Sequence, residues 1–331
     1  MRLGIDIYSL RFQGWDAFQH LEYAHRIGLD VVHFSDLEPF ASLEPAYLSQ
    51  VKARADALGL GLEVGMLSIC PTATIFDGAR GTAVEQVREM LGVAHILGSP
   101  ILRCVLGSNA DRRMPPPLSA HIENTLATCR AVRSQALDLG IKLAIENHAG
   151  DMQGRELRAL IEAAGPEFVG ACIDPGNAVW VAEDPMVTLD YLAPYVAASH
   201  ARDSAVWPHP LGAAVQWVAM GDGNVGIAEW VRRYQRECPG LPLTMEVITG
   251  GPPRVLNYLE PSYWEVYRET PAWEFARFER LVRSGQPFLE PMLTVGRGEQ
   301  PPEYRPALAA QQRMDVERSV AYCRQLGLAE G

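Results

Sequence analysis

Four residues able to bind a metal or move a proton stand where short apolar runs end. Glu146 closes Leu143-Ala144-Ile145, Asp174 follows Ala171-Cys172-Ile173, His200 follows Ala197-Ala198-Ser199, and Glu246 follows Leu243-Thr244-Met245. If the runs are neighbouring strands of one sheet, their ends deliver three carboxylates and an imidazole to a single rim. Carboxylates that converge without a cation repel one another, which raises their pKa values and costs stability. A divalent cation removes the conflict, and three oxygen donors with one imidazole suit Mn2+ first, with Mg2+ or Co2+ as alternatives. Zn2+ is a further option, although it more commonly takes a set richer in nitrogen or sulfur. Singly, each residue has a plainer explanation. Either glutamate could pair with an arginine, Asp174-Pro175-Gly176-Asn177 is an ordinary turn sequence, and His200 could be a satisfied buried histidine. The coincidence of all four at one depth is what points to a metal.

A repeated pattern supplies the strands. Amphipathic segments end in Ile27-Gly28, Leu58-Gly59, Leu97-Gly98 and Leu139-Gly140, and each is followed within a few residues by a β-rich run. The glycines suit the left-handed residue that closes a helix, and their spacings of 31, 39 and 42 residues each fit one strand–helix unit. Continuing the count predicts strands near 1–8, 30–35, 62–67, 101–106, 142–147, 169–174, 196–201 and 242–248. Helices are expected near 14–27, 43–58, 81–97, 117–139, 154–164, 186–193 and 226–237. Runs such as IKLAIE and VGACID are almost wholly apolar until their last residue, as parallel strands covered on both faces are. Eight such units in residues 1–250 predict an α/β fold, a (β/α)8 TIM barrel, whose active sites lie at the C-terminal ends of the strands.

Beyond residue 250 the pattern changes. Residues 251–331 read as a C-terminal helical extension packed on the barrel rather than an independent domain. It comprises a Pro- and aromatic-rich stretch at 251–270, helices at 271–284 and 305–325, and a Pro/Gly-rich connection at 285–303. The 251–270 stretch leaves the last strand on the rim side, so it is either packing or a lid carrying Tyr258, Tyr263, Trp264 and Tyr267.

Composition narrows the function. The 331 residues carry a net charge of −11 and 48% hydrophobic residues, which opposes a nucleic-acid partner. No uninterrupted apolar run reaches the roughly 18 residues of a membrane span. The start, MRLGIDIYSL, reads as a first strand rather than a secretory signal, so a cytoplasmic protein is expected. No two of the six cysteines lie within four residues of each other, which removes zinc-knuckle and CxxC redox readings. No glycine-rich phosphate loop follows the first strand, so no nucleotide cofactor is expected.

The motifs IENHAG, CIDPGN, SHARDS and MEV resemble the metal-site motifs of the xylose isomerase-like TIM-barrel superfamily. The resemblance covers roughly residues 1–250 and the last helix. It implies one divalent ion held by Glu146, Asp174, His200 and Glu246. In the ketose 3-epimerases of that superfamily the two glutamates also shuttle the proton, a role that would fall here on Glu146 and Glu246. The implied activity is a sugar isomerase or epimerase that removes a proton next to a carbonyl through a metal-stabilised enediolate, on a keto sugar or polyol. The alternative is a lyase using the same enolate, similar to inosose dehydratase or to the catalytic subunit of C-glycoside deglycosidases that act on 3-keto-glycosides. A non-catalytic sugar-binding barrel is the third reading. Two departures stand out. Asn177 occupies a place where many sugar epimerases of the group carry His, and Arg202 replaces the frequent Lys of an HxKD pattern. His148 is a candidate acid/base or a supporting turn residue. Asn177, Arg202, Tyr8 and Arg103 are candidate substrate contacts; Asp6, His33, Trp207 and His209 are weaker ones. The expected partner is a small carbohydrate, with no nucleic acid or membrane; a homo-oligomer or a small partner subunit stays open.

Overall fold

The computed structural model describes residues 1–289, 293–294 and 301–327. Part of the connection expected at 285–303 therefore lies outside the described residues, as does the end of the C-terminal extension.

The strands are β1 (Leu3–Asp6), β2 (Val31–Phe34), β3 (Gly61–Ser68), β4 (Ile101–Val105), β5 (Lys142–Glu146), β6 (Val169–Ile173), β7 (Val196–Ser199), β8 (Asp203–His209), β9 (Gly212–Val218), β10 (Leu243–Met245) and β11 (Arg254–Leu256). The helices are α1 (Ala17–Arg26), α2 (Pro45–Ala57), α3 (Ala83–Leu97), α4 (Asn109–Arg113), α5 (Leu118–Leu139), α6 (Gly154–Ala164), α7 (Pro175–Ala178), α8 (Pro185–Leu192), α9 (Ile227–Glu237), α10 (Ala272–Ser284) and α11 (Arg305–Gln325). Eight strands form one parallel sheet in the order β10-β1-β2-β3-β4-β5-β6-β7. A parallel bridge between Ala201 and Met245 brings its two edges together. Ala201 donates its N–H to the Thr244 carbonyl at 2.8 Å and accepts from Glu246 N–H at 3.0 Å. The architecture is the expected TIM barrel with a C-terminal helix.

The helix ends follow the sequence signals. Gly98 and Gly140 close α3 and α5 at φ of +69° and +66°, where a side chain would be strained. At the other end of α3, Thr82 and Glu85 bond reciprocally as a capping box. The strands bury Leu62, Val64, Ile145 and Ile173 in the same apolar cluster as Leu91 of α3 and Leu157 of α6. The extension adds Val316, Val320 and Cys323 of α11 to this cluster. Polar bonds hold α11 to the barrel, with Thr249 Oγ1 donating to Asp315 at 2.7 Å and Phe12 N–H donating to Gln312 at 3.0 Å.

One element was not foreseen. Between the strand expected at 196–201 and the helix expected at 226–237 lies the antiparallel hairpin β8–β9, which with β11 makes a second sheet in the order β11-β9-β8. Trp207 and His209 therefore lie on β8. Pro208 is tolerated there because β8 is an edge strand, where a missing N–H breaks no interior ladder. Under this sheet Tyr258, Tyr263, Tyr267, Phe278 and Val282 share a second apolar cluster, against which Trp264 packs.

Glu183, before α8, gives this region a measurable pH signature. It is buried and accepts the Gly154 N–H at the start of α6 at 3.0 Å and the Thr188 hydroxyl. Burial pushes its carboxyl from 4.5 up to about 7, against the lowering effect of those bonds. A carboxyl raised on folding favours the native state below the unfolded pKa and loses that contribution as pH climbs through the folded value. The Glu183→Gln variant keeps the shape and the acceptor. Its melting temperature relative to wild type should rise between pH 5 and pH 8, and equal pH dependence of the two proteins would refute the assignment.

Candidate functional site

Each strand end delivers one polar side chain because the chain leaves the sheet there. Glu146 is the last residue of β5, and Asp174, His200 and Glu246 immediately follow β6, β7 and β10. Asp174 caps the short α7, its Oδ1 accepting the N–H groups of Gly176 at 2.7 Å and Asn177 at 3.2 Å. That leaves Oδ2 for the centre of the rim. Asn147 fixes the same turn, exchanging bonds with the Asp174 backbone at 2.7 and 2.9 Å.

The structure brings these four residues together. His200 Nδ1 lies 3.0 Å from Glu146 Oε2 and 3.1 Å from Glu246 Oε2. Glu146, Asp174 and Glu246 offer oxygens that all lie within 4.8 Å of one another. Three candidate substrate contacts also point into the cluster. Arg103 Nε donates to Glu146 Oε2 at 2.6 Å. Asn177 Nδ2 donates to Glu146 Oε1 at 2.9 Å and Asp174 Oδ2 at 2.7 Å. Arg202 Nη2 lies 2.6 Å from Asp174 Oδ2 and also contacts Glu246.

Charge is distributed unevenly over this cluster. Burial would raise the Glu146 carboxyl, but Arg103 and His200 hold it well below the usual carboxylate range. Glu246, likewise against burial, is drawn down to about 2 by Arg202 and His200. His200 is carried up to about 10, because Glu146 and Asp6 outweigh its desolvation. Asp174 ends near 8 and Asp6 near 7, both driven chiefly by burial. Two of four neighbouring carboxyls thus favour their protons, a deficit of positive charge that a divalent cation at the three-carboxylate group would relieve. The donor set fits such an ion.

The other expected residues lie around this cluster. His148 is half-buried and its Nδ1 faces the Gly107 carbonyl at 2.7 Å. A carbonyl only accepts, so Nδ1 carries the hydrogen and, in the neutral ring that burial favours, Nε2 keeps its lone pair. Tyr8 stands 44% exposed after β1, with the Arg11 guanidinium 4.6 Å from its ring. Asp6 and His33 lie inward, on the other side of His200. Its Nε2 is 3.3 Å from His33 Nδ1 and 3.7 Å from Asp6 Oδ2. His209 bonds the hairpin turn through Leu211 N–H at 3.2 Å, and Trp207 packs with Ala205, Ala214 and Val218. Neither joins the cluster.

Several neighbours were not anticipated. Buried Glu63 of β3 accepts from His33 Nδ1 at 3.1 Å and from Thr244 Oγ1 at 3.0 Å. In sequence it resembles any acid alternating along a strand. Trp217 of β9 lies under the Arg202 guanidinium at 4.5 Å and stacks on Trp180 at 4.1 Å. Finding that pair required the hairpin.

Comparison with known proteins gives this arrangement a family. A model described as "Xylose isomerase-like TIM barrel" matches residues 21–264. The chain belongs to the xylose isomerase-like TIM-barrel family. Among curated proteins, the 3-oxo-isoapionate decarboxylase of Pectobacterium atrosepticum is 26% identical over 185 residues, which cover 56% of this chain and 60% of that enzyme. Among solved structures, a D-psicose 3-epimerase determined with D-fructose superposes over the whole of both chains with a TM-score of 0.62 at 14% identity. An L-ribulose 3-epimerase does so over 98% of this chain and 96% of its own, with a TM-score of 0.60 at 17% identity. The structural likeness of these barrels is one of fold. The three proteins named are enzymes, and two of them act on sugars by their names. No described helix is long and apolar enough to cross a membrane.

Proposed function

We propose that this chain is a divalent-metal-dependent sugar isomerase or epimerase that removes and returns a proton next to the carbonyl of a keto sugar or polyol. The observation that carries the reading is the gathering of Glu146, Asp174, Glu246 and His200 Nδ1 into one cluster at the rim of the barrel. A divalent ion held by these four, Mn2+ by preference, would polarise the substrate carbonyl and stabilise negative charge developing beside it. Glu246 is the proton acceptor we favour. It is 7% exposed where Glu146, Asp174 and His200 are wholly buried, and it is held as a carboxylate. Glu146 is anchored by Arg103 and serves the opposite face. His148, with Nε2 as a lone-pair acceptor, is a third proton carrier at the mouth. Asn177 and Tyr8 supply hydrogen bonds to hydroxyl groups. Six free, buried cysteines accord with a cytoplasmic location.

A second reading, a lyase working through the same enolate, is favoured by the decarboxylase relative and by the Trp180–Trp217 wall. One experiment separates the two. Metal-loaded protein is incubated in D2O with ketoses, inososes and 3-keto-glycosides and followed by NMR. Deuterium entering next to the carbonyl, with an inverted or isomerised product, is the expected result. Loss of water or an aglycone would move the chain to the lyases. No exchange with any of them would sink both readings.

A further inference from the structure

Arg202 stands where a metal would have to stand. Its Nη2 is 2.6 Å from Asp174 Oδ2, 3.6 Å from Glu146 Oε1 and in contact with Glu246 Oε2. These are the three carboxylates whose oxygens form the candidate ligand group. A guanidinium nitrogen and a divalent ion cannot both occupy that space.

The arginine also has a seat built for it. Its Cζ lies 4.5 Å from the centre of the Trp217 ring. Trp217 is itself fixed, donating from Nε1 to the Gly176 carbonyl at 3.0 Å and stacking on Trp180 with an interplanar angle of 13°. Position 176 must be glycine for the stem to pass, since a Cβ there would lie 2.0 Å from Arg202 Cγ. One nitrogen of the group, the buried Nε, has no hydrogen-bond partner. The seat therefore holds the arginine by stacking and charge without satisfying it fully. A planar cation can slide over an indole face while keeping its attraction to the ring; the ammonium of lysine cannot stack in this way.

We propose that Arg202 is the resident cation of this site. It neutralises the carboxylates in the metal-free protein and withdraws along Trp217 when an ion enters, so that it sets the metal affinity. The proposal rests on the metal-dependent reading above. It explains how three buried carboxylates can coexist when no metal is bound.

The test is calorimetric titration of the metal-free protein with Mn2+, for wild type, Arg202→Met and Arg202→Lys. Arg202→Met retains bulk against Trp217 but no charge. It should bind Mn2+ at least about tenfold more tightly than wild type and melt at a lower temperature when metal-free. Arg202→Lys, charged but unstacked, should fall between them. Mg2+, which does not quench indole, should change the tryptophan fluorescence of wild type, and this change should vanish in Trp217→Phe. An Arg202→Met protein that folds only with Mn2+ present would support the proposal equally. Equal or weaker Mn2+ binding by a folded Arg202→Met protein would overturn it and leave the metal site standing. Absence of Mn2+ binding by all three proteins would overturn both the proposal and the metal-dependent reading.

Discussion

Replacing Glu246 with Gln is expected to slow proton exchange next to the substrate carbonyl by about 10²–10⁴-fold, the usual worth of a positioned general base. The geometry explains why the effect should be larger than for Glu146→Gln with the epimer whose proton Glu246 abstracts. Both Glu146 oxygens are engaged, Oε2 by Arg103 and His200 and Oε1 by Asn177. Glu246 Oε2 takes His200 and Arg202, and its residual exposure gives a substrate access to the carboxyl. If the two glutamates serve opposite faces, each variant also fails differently. Starting from one epimer, the variant lacking the abstracting base loses exchange altogether. The variant lacking the returning base exchanges deuterium but does not invert the centre. Swapping the starting epimer should swap the two phenotypes. Exchange within about threefold of wild type in both variants would discard the glutamates, since loss of a working base costs at least about a hundredfold, and His148→Asn would become the next variant to measure.

The parts of the molecule that were legible in the sequence are those fixed by short-range physics. Gly98 and Gly140 mark helix ends because only glycine adopts positive φ without strain, and both helices end there. Apolar runs closed by one polar residue announced β5 and β6, and the alternation of strands with helices announced a barrel. The same logic placed Glu146, Asp174, His200 and Glu246 on one rim, and the structure gathers them. What stayed hidden depends on long-range partners. The β8–β9 hairpin carries a proline, Pro208, and a buried aspartate, Asp203, neither of which signals a strand. In the fold Asp203 accepts the N–H groups of Gly221 and Gly223, each at 3.0 Å, pinning the connection after β9. Arg103 and Arg202 were recognisable as cations near the site, but their chain positions carry no information about which acid each would face. Glu63 gives no signal in the sequence because an acid within a strand usually faces water, whereas here it meets His33 and Thr244 in the interior.

Metal binding itself yields the second large effect, and it also decides between rival ligand groups. A ligand present at a hundred times its Kd stabilises the native state by about 2.7 kcal/mol, which for a chain of this size corresponds to a rise of several degrees in Tm. Wild-type protein stripped with a chelator and then given Mn2+ should show that rise. Asp174→Asn should lose most of it, because Oδ1 is committed to α7 and Oδ2, the oxygen turned to the centre, is the one left for an ion. Two other buried groups bring ligand atoms equally close, Asp6–His33–His200 and Glu146–Cys172–His200. The second is a poor competitor, since burial holds the Cys172 thiol well above its usual pKa and a metal needs the thiolate. The first is a real alternative. Asp6 Oδ2 and His33 Nε2 are buried without hydrogen-bond partners, and His200 Nε2 lies 3.7 Å from Asp6 Oδ2 and 3.3 Å from His33 Nδ1. It offers one carboxylate against three, however, so an oxygen-seeking ion such as Mn2+ gains more at the outer group. His200 belongs to the inner group and touches the outer one through Nδ1, so its replacement cannot tell them apart, whereas Asp174→Asn and Asp6→Asn can. A Mn2+-induced rise in Tm that survives Asp6→Asn and vanishes in Asp174→Asn places the ion at the rim, within reach of Glu246 and of a substrate. The reverse pattern would place it inside the barrel, where it could hold His200 in position but could not polarise a carbonyl at the mouth.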